Sequence, residues 1–394
     1  MRIAIGMIMR DFLSAKPLTE FLDNAEKYGH TINSVIVAYS NQMNPAAAKK
    51  LEGRTKLSCI RLQEISGTYK NLENIGLRHT TIRQLLFCPL ADMYGLVPYG
   101  FFHSQVLLEA MFQDLDYLIL VGSDIRPCVL EQTADGKISK REIDFIGAHL
   151  QSLAKGADLT TSNYSGYSIL PLVGFDGVED LLWGLYREER ADFWKSISEL
   201  GGIIVQKSAR SKSKIKPVPT TKVFAGNLGI RMKTLSNLPT FFSPYYFHNQ
   251  SPLLAGGLDS LLDLTKAQGS VQCVDIQTPV FRNTYGDYPQ KPEMKFEAHV
   301  RDIFFSICTG WIGQNVFSHR ADSLSSDEAA LRKRMLTNAS KSLFRYSADR
   351  RFLRLPEIQG TAEPWLPNME NQHRKAAEAW DELLDKWLRS KAGR

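Results

Sequence analysis

Short apolar runs alternate with longer stretches of helical periodicity through the first two thirds of this 394-residue chain. The runs at 2–9 ("RIAIGMIM"), 34–39 ("SVIVAY") and 56–63 ("KLSCIRLQ") predict three strands, and "DYLILV" at 116–121 predicts a fourth that is fully buried. Between them, residues 17–28 predict a helix, with Pro17 near its start and Gly29 just past its end. Residues 45–52, 71–87 and 103–112 predict three more. This βαβα order implies an α/β fold with a doubly wound, mostly parallel sheet and helices on both faces. Further strands are expected at 156–163, 201–206 and 270–277, and helices at 177–200 and 259–269, the latter ended by Gly269. Trp183, Tyr186 and Trp194 lie on the 177–200 segment, where aromatic residues at helical spacing read as core or wall. From about residue 290 the strand signals stop, and 296–310, 326–346 and 369–391 predict helices. The chain thus divides into an α/β unit at 1–290 and a helical C-terminal extension at 291–394.

Composition adds little beyond an ordinary globular protein: 43% hydrophobic and 23% charged residues. No apolar run is long enough to cross a bilayer. The opening "MRIAIGMIMRDF" reads as a first strand, not a signal peptide. Cys59, Cys88, Cys128, Cys273 and Cys308 form no CxxC pair, which fits reduced thiols and a cytoplasmic location.

Charge does change the picture. The formal net charge is +6, yet residues 200–258 contain no Asp or Glu. That window holds Lys207, Arg210, Lys212, Lys214, Lys216, Lys222, Arg231 and Lys233. Such a window suits an anionic ligand: a diphosphate, a phosphorylated acceptor or nucleic acid. It equally suits a solvated loop, since "KSARSKSKIKPVPTTK" is poor in apolar residues. For nucleic acid, the aromatic "FFSPYYF" at 241–247 would supply stacking against a base.

Ligands of open α/β sheets sit beyond the carboxyl ends of the strands. The polar residues expected there are Arg10 and Asp11, Ser40 and Asn41, the "RLQEISGT" stretch with Gln63 and Glu64, and Ser123-Asp124. With "GSDIRP", "AGNLGIRMKTLSNLP" (225–239) and "GGLDSLLDLTKAQGSVQCVDIQTPVFRNTYG" (256–286) in this order, residues 1–290 resemble the GT-A-type nucleotide-sugar glycosyltransferases, a family-2-like group. The "RLQE..GT" and "GLDSLL...QGSV" pieces are similar to mannosylglycerate synthases.

The resemblance implies a Rossmann-like GT-A domain that transfers a hexose from a nucleotide-diphosphate sugar to a hydroxyl acceptor. The acceptor would be a small phosphorylated molecule or a modified DNA base. It implies that Asp124 holds a divalent metal, Mn²⁺ or Mg²⁺, on the donor diphosphate. It implies donor contacts from Arg10, Ser40, Gln63, Glu64, Ser123, Asp124, Gly226, Asn227 and Arg282, and a carboxylate at Asp259 facing the sugar or acceptor. The basic window would assist at the phosphates. Two departures bear on the metal. The first acid of the DxD motif is replaced by Gly122, and Arg282 stands where relatives carry a metal-completing His. Arg stays protonated and does not ligate metals. The sequence therefore predicts weak or partial metal dependence, with Arg282 supplying part of the cation's charge. The competing reading is a non-catalytic GT-A-fold protein that binds a nucleotide sugar at a degenerate metal site. Asp259 has its own alternative role as a helix N-cap. His79 and His103 read as structural or surface residues, and His248 as part of a surface loop that could face the acceptor.

Overall fold

The computed structural model describes residues 1–61, 66–87, 99–167, 175–199, 202–207, 216–220, 223–255, 271–283, 288, 298–318 and 324–392. Eight strands form the main sheet: β1 (Ile3–Met9), β2 (Ser34–Tyr39), β3 (Lys56–Arg61), β4 (Tyr117–Gly122), β5 (Leu159–Thr161), β6 (Val218–Pro219), β7 (Asn227–Arg231) and β8 (Cys273–Asp275). Their order is β6-β8-β5-β7-β4-β1-β2-β3. β1 pairs in parallel with β2 on one side and β4 on the other, so the winding direction reverses beside β1. β7 runs antiparallel between β4 and β5. The expected α/β class, with a mostly parallel sheet and C-terminal helices, is what the structure has.

The first strands and helices form for local reasons. β1 is apolar on both faces. Ile3, Ile5, Met7 and Met9 pack on Leu18, Phe21 and Leu22 of the Lys16–Lys27 helix, while Ala4 and Ile8 share a core with Phe102 and Val106. Gly6 is required by that second face, because a Cβ there would lie 2.6 Å from Val106 Cγ1. The helix Pro45–Glu52 is capped by the Asn44 side chain, which accepts from the Ala46 N–H at 3.0 Å.

Several expectations are corrected by tertiary structure. The 71–87 helix is two helices, Ser66–Asn74 and His79–Leu86. They are separated at Gly76, whose φ of 82° is the left-handed stop that glycine accepts. The 177–200 helix breaks into Val178–Gly184, a 3-10 turn Glu188–Arg190, and Ala191–Glu199. The break turns Arg187 inward to donate to Gln314 Oε1, and lets Arg332 stack between Trp183 and Tyr186 while it pairs with Glu188. These buried cation contacts outweigh local helix propensity. Strand 156–163 shortens to β5. The 201–206 strand becomes the short Ile203–Ile204 and Gln206–Lys207 pieces. The expected helix at 259–269 lies outside the described residues.

The helical region after residue 290 does not stand apart. Ala298–Phe317, Ser326–Ser347 and Leu355–Ala362 pack with Phe175, Leu181 and Leu185. The last helix, Leu366–Ala392, sends Ala379, Trp380, Leu383 and Leu384 into the core that holds Ile36, Leu85 and Phe102. No helix among the described residues is long and apolar enough to cross a membrane.

The 241–247 segment is also corrected. Phe241, Phe242 and Tyr246 are buried, and Tyr246 donates to the Thr309 carbonyl at 2.7 Å. They are core residues and present no face to a base. His248 is only 3% exposed and sits between Thr361 and Arg354, so it is neither a surface-loop residue nor an acceptor contact. His103 is a core histidine, as expected, and burial lowers its pKa to about 4.

Candidate functional site

The carboxyl ends of β1, β2, β3 and β4 lie along one edge of the sheet. Register places Met9 beside Tyr39, Tyr39 beside Arg61, and Ile8 beside Gly122. At the first two tips, the Arg10 carbonyl accepts from the backbone N–H groups of Ser40 (3.3 Å) and Asn41 (2.9 Å) and from Ser40 Oγ (3.2 Å). This fixes the crossover and leaves the Arg10 side chain exposed. Gln63 and Glu64 lie outside the described residues.

The tip of β4 carries the main feature. Asp124 Oδ2 accepts from Arg282 Nε at 2.8 Å, and the two side chains are 33% and 21% exposed. A small sheet aligns them. Val280–Arg282 pairs in parallel with Tyr164–Tyr167 and antiparallel with Ile125–Arg126, which places Arg282 opposite Ile125. The Asn283 N–H donates to the Asp124 carbonyl at 2.6 Å, so the backbone fixes the pair as well. The Arg282 guanidinium carbon lies 5.0 Å from the centre of the Tyr164 ring, a cation–π distance. Gly166 permits this approach. Its φ is 118°, and a Cβ there would lie 2.5 Å from the Arg282 carbonyl oxygen.

Gly226 meets Gly122 directly, the Gly122 N–H donating to the Gly226 carbonyl at 3.0 Å. A Cβ on Gly226 would come 2.9 Å from the Tyr164 hydroxyl. Asn227 is fully buried. Its Oδ1 faces His149 Nε2 at 2.9 Å and its Nδ2 donates to the Ser162 carbonyl at 3.1 Å. Burial lowers the His149 pKa to about 4, so the ring is neutral at pH 7. Its Nε2–H donates to Asn227, and Nδ1 accepts from Thr160 Oγ1 at 2.8 Å. Asn227 therefore supports the Gly226 backbone and does not itself reach the edge. Ser123 is exposed at the edge, its carbonyl accepting from Arg126 Nη1 at 3.0 Å.

Sequence reasoning brought Asp124 and Arg282 to the same region. It missed Tyr164, the ring under Arg282, and Arg126, held by Glu20 at 2.9 Å. The spacing in "SNYSGYS" gives no sign of that stacking, which depends on a strand pairing more than a hundred residues apart in sequence.

The basic window divides. β7 runs antiparallel, so Arg231 ends beside Tyr117 at the amino end of β4, bonded to Asp158 at 2.6 Å. Arg231 and Lys233 line a cavity of about 510 Å³ there, with Asp114, Asp116, Trp387 and Lys391. They are not phosphate clamps for the opposite edge. Residues 208–215, with Lys222, lie outside the described residues.

The described residues do not fit a divalent ion. Among them, no group of three His, Cys, Asp or Glu side chains could hold one. A hard cation needs several oxygen ligands, and the carboxylate at Asp124 is bonded to a guanidinium. Position 122 is crowded for the missing acid: a Cβ there would lie 2.9 Å from Asp124 Oδ1 and 3.0 Å from Ile125 Cγ1, so both side chains would have to shift. Restoring that acid as Gly122→Asp is expected to destabilise the fold by about 1–3 kcal/mol through crowding, without creating Mn²⁺ affinity. Thermal melts with a Mn²⁺ titration check this, and a variant of native stability that binds Mn²⁺ tightly would show the tip more adaptable than its packing.

No family model matches the chain, and no curated protein does. Among solved structures, one described as a mycobacterial protein aligns at TM-score 0.38 and 13% identity, over 78% of this chain and 74% of its own. Glucosyl-3-phosphoglycerate synthase from Mycobacterium tuberculosis, with Mn²⁺, UDP and phosphoglyceric acid, aligns at TM-score 0.37 and 11% identity, over 79% and 78%. TarS 1-349 from S. aureus aligns at TM-score 0.36 and 10% identity, over 99% and 92%. Likenesses this distant carry no weight in the functional reading, which stands on the strand-edge residues.

Proposed function

We propose that the chain is a GT-A-type glycosyltransferase that moves a hexose from a nucleotide-diphosphate sugar to a hydroxyl of a small phosphorylated acceptor. The observation that carries the reading is the Asp124–Arg282 pair at the carboxyl edge of β4, beside the reversal of strand order where open α/β sheets bind ligands. Arg10, Ser40 and Ser123 lie along this edge, and the Gly226 backbone abuts it. In this reading Gln63 and Glu64 complete the donor pocket, Asn227 holds Gly226, and Asp259 serves the acceptor. A nucleic-acid acceptor has little support, because Phe241, Phe242 and Tyr246 are buried and the half-buried Tyr245 and Phe247 pack against the core.

A second reading is favoured by one observation: Asp124 is bonded to Arg282 and no metal cluster forms among the described residues. It is a nucleotide-sugar-binding protein without turnover. The two readings share a donor site, so binding is tested first. Saturating nucleoside diphosphate is expected to stabilise the protein by about 1–3 kcal/mol, read as a rise in melting temperature. A panel of UDP, GDP, ADP, TDP and CDP, with and without Mn²⁺, that produces no shift would remove both readings. Donor hydrolysis with and without candidate acceptors then separates enzyme from binder.

A further inference from the structure

We infer that the donor diphosphate is bound by a fixed protein cation, Arg282, in place of a divalent metal. This rests on the donor-site reading above and adds how the charge of the diphosphate is met. When a sugar leaves, the nucleoside diphosphate gains negative charge that must be neutralised in place. A metal ion does this when carboxylate oxygens hold it. Here the one carboxylate at the β4 tip accepts from Arg282 at 2.8 Å, so a cation approaching Asp124 meets a permanent positive charge first. Gly122 supplies no second carboxylate, and a side chain there would crowd the Asp124 carboxylate at 2.9 Å.

The same features suit a guanidinium acting on phosphate. Arg carries five N–H donors in a planar fork, and the bond to Asp124 uses the one on Nε. Asp124 fixes the fork from one side and the Tyr164 ring supports its face. Three paired strand segments, Ile125–Arg126, Tyr164–Tyr167 and Val280–Arg282, fix the backbone beneath it. A preorganised cation of this kind loses little freedom on binding, which is what a metal otherwise provides. Asp124 thus acts as a positioning residue for Arg282 and not as a metal ligand.

The test is a titration of the full chain with the five nucleoside diphosphates, once in EDTA and once in millimolar Mn²⁺, followed by calorimetry. For the tightest-binding nucleotide, the two Kd values are expected to agree within about tenfold. Arg282→Gln is expected to weaken binding about 10–100-fold, the loss of charge-assisted hydrogen bonds, with no recovery in Mn²⁺. Arg282→His removes the fixed charge and places an imidazole beside Asp124, so its binding should become Mn²⁺-dependent. Arg282→Lys keeps a cation without the fork and should fall between wild type and Arg282→Gln. It also reports on the site if the neutral variant folds poorly. Wild-type binding that disappears in EDTA and returns with Mn²⁺ would overturn the inference and leave the donor site standing. Native affinity in Arg282→Gln would overturn it as well. Absence of binding under both conditions would remove the donor site itself.

Discussion

Asp259→Asn is expected to melt at the wild-type temperature and to lose turnover by about 10²–10⁴-fold, the usual worth of a positioned general base. In the proposed transfer, the sugar–phosphate bond breaks as the acceptor hydroxyl attacks the anomeric carbon, and its electron pair leaves with the diphosphate. The hydroxyl proton must go to a base. Asp259 follows Gly256-Gly257-Leu258, in the stretch whose resemblance places a carboxylate against the sugar or acceptor. Residue 259 lies outside the described residues, so the substitution is the direct test. Asn retains the shape and capping ability of Asp but cannot take a proton. If Asp259 only caps a helix, Asp259→Asn keeps both stability and turnover, and that result would remove it from the chemistry.

Trp380→Ala should lower folding stability by about 3–5 kcal/mol, the range for deleting a large buried aromatic. Trp380 is 2% exposed, its indole N–H donates to the Leu238 carbonyl at 2.9 Å, and it packs in one core with Leu85 and Phe102. Arg78 and Glu382 bond across the rim of the same contact at 2.6 Å, but that exposed pair adds little. Urea denaturation monitored by circular dichroism gives the figure, and Trp380→Phe should recover part of it. A cost below about 1 kcal/mol would mean that the last helix is an appendage of the α/β unit and not a wall of its core.

The parts legible in the sequence are those whose signals are local. β2 and the Pro45–Glu52 helix fall at the expected residues because an apolar run and an Asn-Pro cap act within a few positions. β7 was not legible as a strand. "NLGIR" is short and interrupted by Gly229, which is needed because a Cβ there would lie 2.3 Å from Thr160 Oγ1 and 2.9 Å from His149 Nδ1. That requirement comes from partners distant in sequence. The hairpin Tyr245–His248/Ser251–Leu254 was missed for a related reason. Its turn puts Asn249 and Gln250 at φ 45° and 65°, and Gln is an uncommon residue there. At the edge, the residue types at 124 and 282 were readable from motif order. Their ion pair, separated by 158 positions, needed the register of three strands.

The sharing of one core by residues near 85 and near 380 also sets a schedule. A ribosome adds about 5–20 residues per second, so the helix His79–Leu86 waits roughly 15–60 s for its covering partner to emerge. Throughout that interval Leu85 and the apolar side of Phe102 have no final lid, although β1–β4 can already pair. That core therefore lacks one of its walls over most of the chain's synthesis. Slowing translation through the last hundred codons would lengthen that exposure without changing any contact of the finished protein.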